Sequence, residues 1–386
     1  DGVGGTTTKA SAYDLASARD TPVIFIVNSK GMSVSLAAYI KGFLEYKKDS
    51  RIRGVILNQM SPMLYPRMKT LLEKELGMKV LGYVPKAEDC VIESRHLGLV
   101  LPDEIPRLQE NLKKLAGILE ETLDMEGILA LADSAPELET NPPDGERKEY
   151  IWKACGEDET YKRSLRIGVA KDEAFCFFYE DNFQLLKEMG AELIFFSPMR
   201  DSRLPKELDG LLLYGGYPEL NGAVLEKNSS IRTEIAEKIQ EGMPCMAECG
   251  GFMYLHEEME GMDGAVYRMA GVIPGKAFRT PRLSRFGYVT LSQKKPVLGC
   301  EDLGAVPAHE FHYFDSENCG EDFLARKPES SRSWNCIHGT ENLLAGFPHL
   351  YYYGNPKVPE AFLKQCAAYR TRMRQAAEAD GCRRKR

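Results

Sequence analysis

One of the ten cysteines in this 386-residue sequence, Cys249, stands in a setting that can do chemistry. It lies in Pro244-Cys245-Met246-Ala247-Glu248-Cys249-Gly250-Gly251-Phe252-Met253-Tyr254-Leu255, which reads as a short buried strand, a sharp turn and a helix. A side chain on a strained strand-to-helix turn is pushed out above the sheet, and Ala247, Gly250 and Gly251 keep the space around it clear. A helix N-terminus then favours the thiolate, the reactive form of cysteine. Cysteine is also among the most buried residue types, so an isolated one is more often structural. Here the double glycine and the strand-turn-helix setting favour a nucleophile, on condition that a base can reach it.

The available bases are His96, His256, His309, His312, His338 and His349. His256 is placed by the pattern about two turns along the helix after Cys249, pointing away from the turn. In Ala308-His309-Glu310-Phe311-His312-Tyr313 strand alternation puts Glu310 and His312 on one face and His309 on the other. His349 ends the last β-like segment, Gly346-Phe347-Pro348-His349-Leu350-Tyr351. Nucleophile and base are adjacent in space and not in sequence, so spacing alone divides the role between His312 and His349, with His309 behind them. The turn Gly215-Gly216, after the apolar run Gly210 to Tyr214, offers backbone N–H groups that can hold the oxyanion of a tetrahedral intermediate.

These groups need a scaffold. Pro22 to Asn28, Gly54 to Asn58 and Lys79 to Val84 are apolar strand-like runs, separated by helical patterns over Ser33 to Tyr46 and Pro66 to Leu76. That order implies a parallel sheet with helices on its faces, and residues 106–132 read as one amphipathic closing helix. A second α/β series begins at Leu165 and runs through Leu193 to Phe196, Gly210 to Tyr214 and the Cys249 strand. Residues 265–350 are more β-like, and 356–380 form a terminal helix. The expectation is an α/β protein of two doubly wound, mainly parallel domains, 1–132 and 165–386, joined by a polar Pro/Gly-containing linker over 133–164.

A net charge of -7 argues against nucleic-acid binding through a basic surface, and the closing Arg383-Arg384-Lys385-Arg386 reads as a solvated tail. No apolar run approaches the roughly 18 residues that span a bilayer. The cysteines contain no CxxC pair and suggest neither a zinc knuckle nor a disulfide framework, so they read as reduced thiols of a cytoplasmic protein. The opening Asp1-Gly2-Val3-Gly4-Gly5, without an initiator methionine, reads as the edge of an N-terminally truncated chain.

Tyr214-Gly215-Gly216-Tyr217-Pro218-Glu219-Leu220 and Ala247-Glu248-Cys249-Gly250-Gly251-Phe252-Met253-Tyr254-Leu255 together resemble the class I glutamine amidotransferase domain of cobyrinic acid a,c-diamide synthases. Arg166 to Phe177, Phe195-Phe196-Ser197-Pro198 and His309-Glu310-Phe311-His312-Tyr313 fit the same family. Its late histidine segment maps to His349-Leu350-Tyr351-Tyr352 with Asn355-Pro356 after it, which selects His349 as the base. Other class I amidotransferases carry a glutamate two residues after this histidine; here that position is Tyr351, so the resemblance implies a Cys–His dyad. It also implies a flavodoxin-like second domain, with Gly215, Gly216 and Gly250 around the oxyanion and the glutamine.

The resemblance extends over the first domain, which is similar to dethiobiotin-synthetase-like nucleotide folds. Gly54-Val55-Ile56-Leu57-Asn58 resembles a strand of that family, and Asn58 is similar to the asparagine that contacts the adenine of ATP in such folds. Glu93-Ser94-Arg95-His96-Leu97-Gly98-Leu99 matches a substrate-binding signature through Glu93, Arg95 and His96. Two departures stand out: no P-loop, G-x-x-x-x-G-K-[ST], occurs, and Asn28 replaces an acidic residue common in the family. The magnesium ligands are therefore unknown.

The resemblance implies an ATP-driven amidoligase that uses Mg2+ and amidates the a and c acetate groups of cobyrinate with nitrogen from glutamine. Arg279, Arg282 and Arg285 are candidate cations for that polycarboxylate, Arg282 foremost. A nickel-sirohydrochlorin a,c-diamide synthase shares the motifs, and a glutaminase or docking subunit without ligase activity is a reading from another class. The expected partners are small molecules, with neither nucleic acid nor membrane, and a homo-oligomer is possible.

Overall fold

Apolar, β-branched runs set the frame of both halves: Gly210–Leu213 is buried at every residue, whereas Val23–Asn28 buries Val27 and leaves Ile26 63% exposed. The computed structural model describes residues 5–92, 102, 105–138 and 164–383, which gather into two compact units, Asp1–Thr140 and Asn141–Arg386. In the first, β1 (Val23–Asn28), β2 (Ile52–Asn58) and β3 (Lys79–Val84) form a parallel sheet in that order, with Asn28 opposite Asn58 in register. Helices Ser35–Tyr46 and Tyr65–Leu76 cover it, burying Leu36, Ile40 and Leu72 against Val27, Val55, Leu57 and Val80.

The single helix expected over 106–132 is two, Leu108–Thr122 and Met125–Asp133. The break has a local cause. Asp124 caps the second helix, its carboxylate accepting the Gly127 N–H at 2.8 Å, while its own N–H donates to Leu81 O at 2.9 Å. The chain at Leu123 is thereby tied to the middle of β3. Gly82 permits the close approach, since a Cβ there would stand 2.4 Å from Thr122 O.

The second unit is built on a six-stranded sheet. Its strands are β4 (Leu165–Ala170), β5 (Ala191–Phe196), β6 (Gly210–Leu213), β7 (Cys245–Glu248), β16 (His338–Gly339) and β17 (Leu343–Gly346), in the order β16-β17-β7-β6-β4-β5. All neighbours are parallel except β16 with β17. Helices Glu180–Glu188, Gly222–Lys227, Ser229–Gln240, Gly250–Tyr254 and Lys357–Arg383 accompany it.

The β-like stretch resolves into two more sheets. One has the order β13-β10-β8-β9, from β8 (His256–Glu260), β9 (Val266–Arg268), β10 (Ile273–Arg279) and β13 (Phe314–Ser316). The other runs β15-β14-β11-β12-β18, from β11 (Arg285–Gln293), β12 (Val306–His312), β14 (Phe323–Arg326), β15 (Ser333–Cys336) and β18 (His349–Leu350). Open parallel sheets collect ligands at the carboxyl ends of their strands, and in this unit the segments that leave β6, β7 and β17 end there together.

Candidate active site

Cys249 ends β7 and begins the helix Gly250–Tyr254 with φ 48 and ψ -105, a left-handed-side conformation that a non-glycine residue holds only under constraint. The constraint is on both sides. Its N–H donates to Gly346 O on the neighbouring β17 at 2.8 Å, and the following glycines admit no side chain. A Cβ on Gly251 would stand 1.9 Å from Leu213 O, and one on Gly250 would stand 2.9 Å from the Pro218 ring and 3.0 Å from Gly216 N. The elbow thus exists because β6 and its turn press against it.

The β6 turn is fixed in the same way. Cys176 and Phe177 N–H groups both donate to Gly215 O, at 3.0 and 2.9 Å. In a trans peptide the carbonyl and the next N–H point oppositely, so the Gly216 N–H is turned away from residues 176–177 and toward Gly250. A Cβ on Gly216 would stand 2.2 Å from Ala174 O, which keeps this backbone pair in close contact.

His349 opens β18, and β17 carries it there: Gly346 is paired with Glu248 at the end of β7, and Phe347-Pro348 bridge the gap. The segment is clamped by Asn182, fully buried, whose amide donates to Leu350 O at 2.8 Å and accepts the Tyr352 N–H at 2.8 Å. Tyr352 in turn shares a 3.0 Å hydrogen bond with Tyr214 beside the glycine turn. Gly215 packs directly on the imidazole, so His349, Cys249 and the glycine turn meet at one point.

Electrostatics follow from that meeting. Burial alone would depress the imidazole pKa, but the Cys249 sulfur, by charge and hydrogen bond, and then the Glu248 carboxylate reverse this and raise it to about 10. His349 Nδ1 lies 3.7 Å from Glu248 Oε2. Glu248 is itself buried, and desolvation raises its pKa against the opposing pull of His349. Such a site sets a basic imidazole against a thiol, the pairing that cysteine nucleophiles use.

The other sequence candidates separate. His312 shares the buried face of β12 with Glu310, donates through Nδ1 to Phe314 O at 2.6 Å, and stacks on Phe347 with ring centroids 4.0 Å apart. His309 lies opposite His349 in register, on the other face of β12. His256 corrects the sequence reading: the helix after Cys249 stops at Tyr254, and His256 begins β8. Its ring is held by Phe252 O at 2.9 Å and Ser316 Oγ at 2.6 Å. Asn58 ends β2 in the first unit, where its carbonyl accepts both the N–H and the hydroxyl of Ser29. Arg279 and Arg282 are exposed around the β10–β11 turn, while Arg285 lies over the Trp334 ring at 4.8 Å. Glu93, Arg95 and His96 lie outside the described residues.

Two residues were missed from sequence, Glu248 and Asn182. A carboxylate closing the otherwise apolar strand Cys245–Glu248 was the available signal for the first. A hollow of about 540 Å³ lined by Arg166, Leu208, Tyr369 and Arg370 lies at the amino ends of the strands, away from Cys249. Among the described residues no group of three or more His, Cys, Asp or Glu side chains is placed to hold a metal ion.

A family model described as the CobB/CobQ-like glutamine amidotransferase domain matches residues 166–355. The chain is similar to a protein of Caldanaerobacter subterraneus subsp. tengcongensis named cobyrinate a,c-diamide synthase, 35% identical over 373 residues that cover 96% of this chain and 79% of that one. Proteins of the same name from Fusobacterium nucleatum subsp. nucleatum and Priestia megaterium are 34% and 32% identical, covering 93% and 97% of this chain and 80% and 79% of theirs.

Proposed function

We infer the working of this chain from one premise: it belongs to the family of cobyrinate a,c-diamide synthases, ATP-driven amidoligases that take nitrogen from glutamine. The domain 165–386, within its second unit, is the glutaminase. The observation that carries this is the convergence of Cys249, His349 and the Gly215-Gly216 turn at the carboxyl ends of three adjacent strands.

Cys249 thiolate attacks the side-chain carbonyl carbon of glutamine, forming a C–S bond as the carbonyl π pair moves onto oxygen. Gly216 and Gly250 N–H groups hold that oxyanion, and one such donor is worth roughly 100- to 1,000-fold in rate. The His349 imidazolium gives its proton to the amide nitrogen, the C–N bond breaks, and ammonia leaves a γ-glutamyl thioester. Neutral His349 then takes a proton from water, which displaces the sulfur and frees glutamate; the thiolate–imidazolium pair is restored.

The domain 1–132, within the first unit, uses the ammonia. A carboxylate is a poor electrophile, so an oxygen of the cobyrinate a or c acetate first attacks the γ-phosphorus of ATP, expelling ADP. Ammonia adds to the acyl phosphate carbon, loses a proton, and phosphate departs with the amide formed. Asn58, at the carboxyl end of β2, receives the adenine of ATP. Mg2+ would be carried by the nucleotide phosphates, as is usual for this hard ion, and would offset their charge. Arg282, with Arg279, offers exposed positive charge to the macrocycle carboxylates. No described helix is long and apolar enough to cross a membrane, and reduced thiols and a need for ATP favour the cytoplasm for the reaction.

The test supplies the protein with cobyrinate, Mg-ATP and either glutamine or ammonium, and weighs the products by mass spectrometry. Cys249→Ser is expected to lose glutamine-dependent diamide and keep the ammonium-dependent product. Undiminished use of glutamine by the variant contradicts the assignment.

A further inference from the structure

We propose that Glu248 is the positioning acid of the glutaminase site, orienting the His349 imidazole and holding its positive charge from the residue immediately before the nucleophile. The proposal rests on the Cys249–His349 reading above and deepens it.

The position two residues after His349 does not supply an acid: Tyr351 is exposed there and donates its hydroxyl to Asp181 at 3.0 Å. A carboxylate reaches the imidazole from another strand. Glu248 ends β7, paired with Gly346 of β17, and the Cys249 elbow sends the thiol and the carboxylate to opposite faces of the chain. Met246 and Tyr214 share the core layer on the Glu248 side, while Ala247 and Cys249 pack in the other layer. From its side Glu248 Oε2 faces His349 Nδ1 at 3.7 Å, which leaves Nε2 for the sulfur.

A buried carboxylate is costly unless it faces a cation or hydrogen-bond donors. Glu248 is 4% exposed, and its other oxygen, Oε1, has no hydrogen-bond partner among the described residues. Around it stand His349 from β18, Tyr214 after β6, Tyr352 in the turn after β18 and Tyr179 at the start of the helix Glu180–Glu188; all three tyrosines feel its charge. His309 is the further titratable neighbour of His349 itself. Of these groups His349 is the one whose gain of a proton compensates the carboxylate. The Leu350 backbone also hydrogen-bonds the carboxylate, but it brings no charge, so His349 is the counter-ion on offer at this depth. Catalytic contacts in the free state are often long and shorten once substrate is bound, so a 3.7 Å pair is within reach of a hydrogen bond.

The test compares wild type, Glu248→Gln and Glu248→Asp by glutamine hydrolysis and by the pH profile of Cys249 alkylation with iodoacetamide, read on its own peptide. Wild type is expected to show its upper transition near the His349 value of about 10. Removing the carboxylate charge lowers that value, so in Glu248→Gln the transition moves to lower pH. Its kcat for hydrolysis falls roughly 10- to 100-fold, as for other groups that orient a reacting ligand, while KM changes little. Glu248→Asp, with a retracted carboxylate, restores part of both. A Gln variant with wild-type kcat and an unmoved transition overturns the proposal. Should the Gln variant not fold, the Asp variant decides: an unmoved transition and wild-type kcat overturn it equally. His349→Ala separates the two levels, since undiminished hydrolysis there sinks the dyad reading itself, whereas its loss beside an active Gln variant sinks only the role of Glu248.

Discussion

Gly215 lies between His349 and Cys249: a Cβ built on it would stand 2.6 Å from His349 Cε1 and 3.5 Å from Cys249 Cβ. The missing side chain is the space in which base and nucleophile meet. Gly215→Ala is therefore expected to push the imidazole aside while leaving the sheet intact. A displacement of about 1 Å at reacting groups can cost on the order of 100-fold in rate, and kcat for glutamine hydrolysis should fall by that order at nearly unchanged thermal stability. Steady-state kinetics beside a melting curve check both halves.

Asn182 is a structural clamp on the segment that carries His349. Asn182→Ala leaves the Leu350 carbonyl and the Tyr352 N–H buried without partners. Each such group costs about 1–3 kcal/mol, so the denaturation midpoint should drop and kcat should fall with it. Serine in place of alanine would recover little, because its side chain is too short to serve both groups.

His256 gives a signed pH dependence. Burial lowers its pKa from 6.5 to about 4, so the folded state keeps it neutral where the unfolded chain is protonated. Its stabilising contribution is complete above pH 6.5 and is lost as pH falls toward 4, with a slope of up to about 1.4 kcal/mol per pH unit. Urea titrations between these limits are expected to show that slope in wild type and a shallower one in His256→Gln.

Arg370 and Asp209 form a buried pair, Nε donating to Oδ1 at 3.0 Å with a second contact through Nη2, while the Arg166 N–H donates to Asp209 Oδ2 at 2.7 Å. The pair ties the helix Lys357–Arg383 to the starts of β4 and β6. Arg370→Met strands a buried carboxylate, at a cost of roughly 3–5 kcal/mol. Adding Asp209→Leu should recover part of that loss, and only part, because the Arg166 N–H then lacks its acceptor. Equal stability of single and double variants would contradict the account.

Strands were legible wherever the residue pattern was extreme. Val23–Asn28, Ile52–Asn58 and Gly210–Leu213 are apolar throughout or nearly so, and each was read within a residue or two. The elbow at Cys249 was legible for the same reason, since its glycines have no other use at that spacing. The break at Leu123 was not, because Asp124 caps a helix in answer to a contact with β3 that is remote in sequence. Periodicity misplaces His256, because a five-residue helix ends where the pattern alone would continue it. Spacing left His312 and His349 level; packing of His312 on Phe347 and of His349 on Gly215 is a tertiary difference that spacing does not contain. Spacing does not reveal Glu248, because it reaches His349 across a strand pair, not along the chain.

The central claim is that Cys249 alone among the ten cysteines attacks the glutamine amide. A diazoketone analogue of glutamine alkylates whichever thiol performs that attack, and peptide mass mapping then locates it. Stoichiometric label is expected on the Cys249 peptide, with glutamine protection against it, and none after Cys249→Ser. Label on another cysteine, or loss of glutamine hydrolysis with Cys249 unmodified, contradicts it.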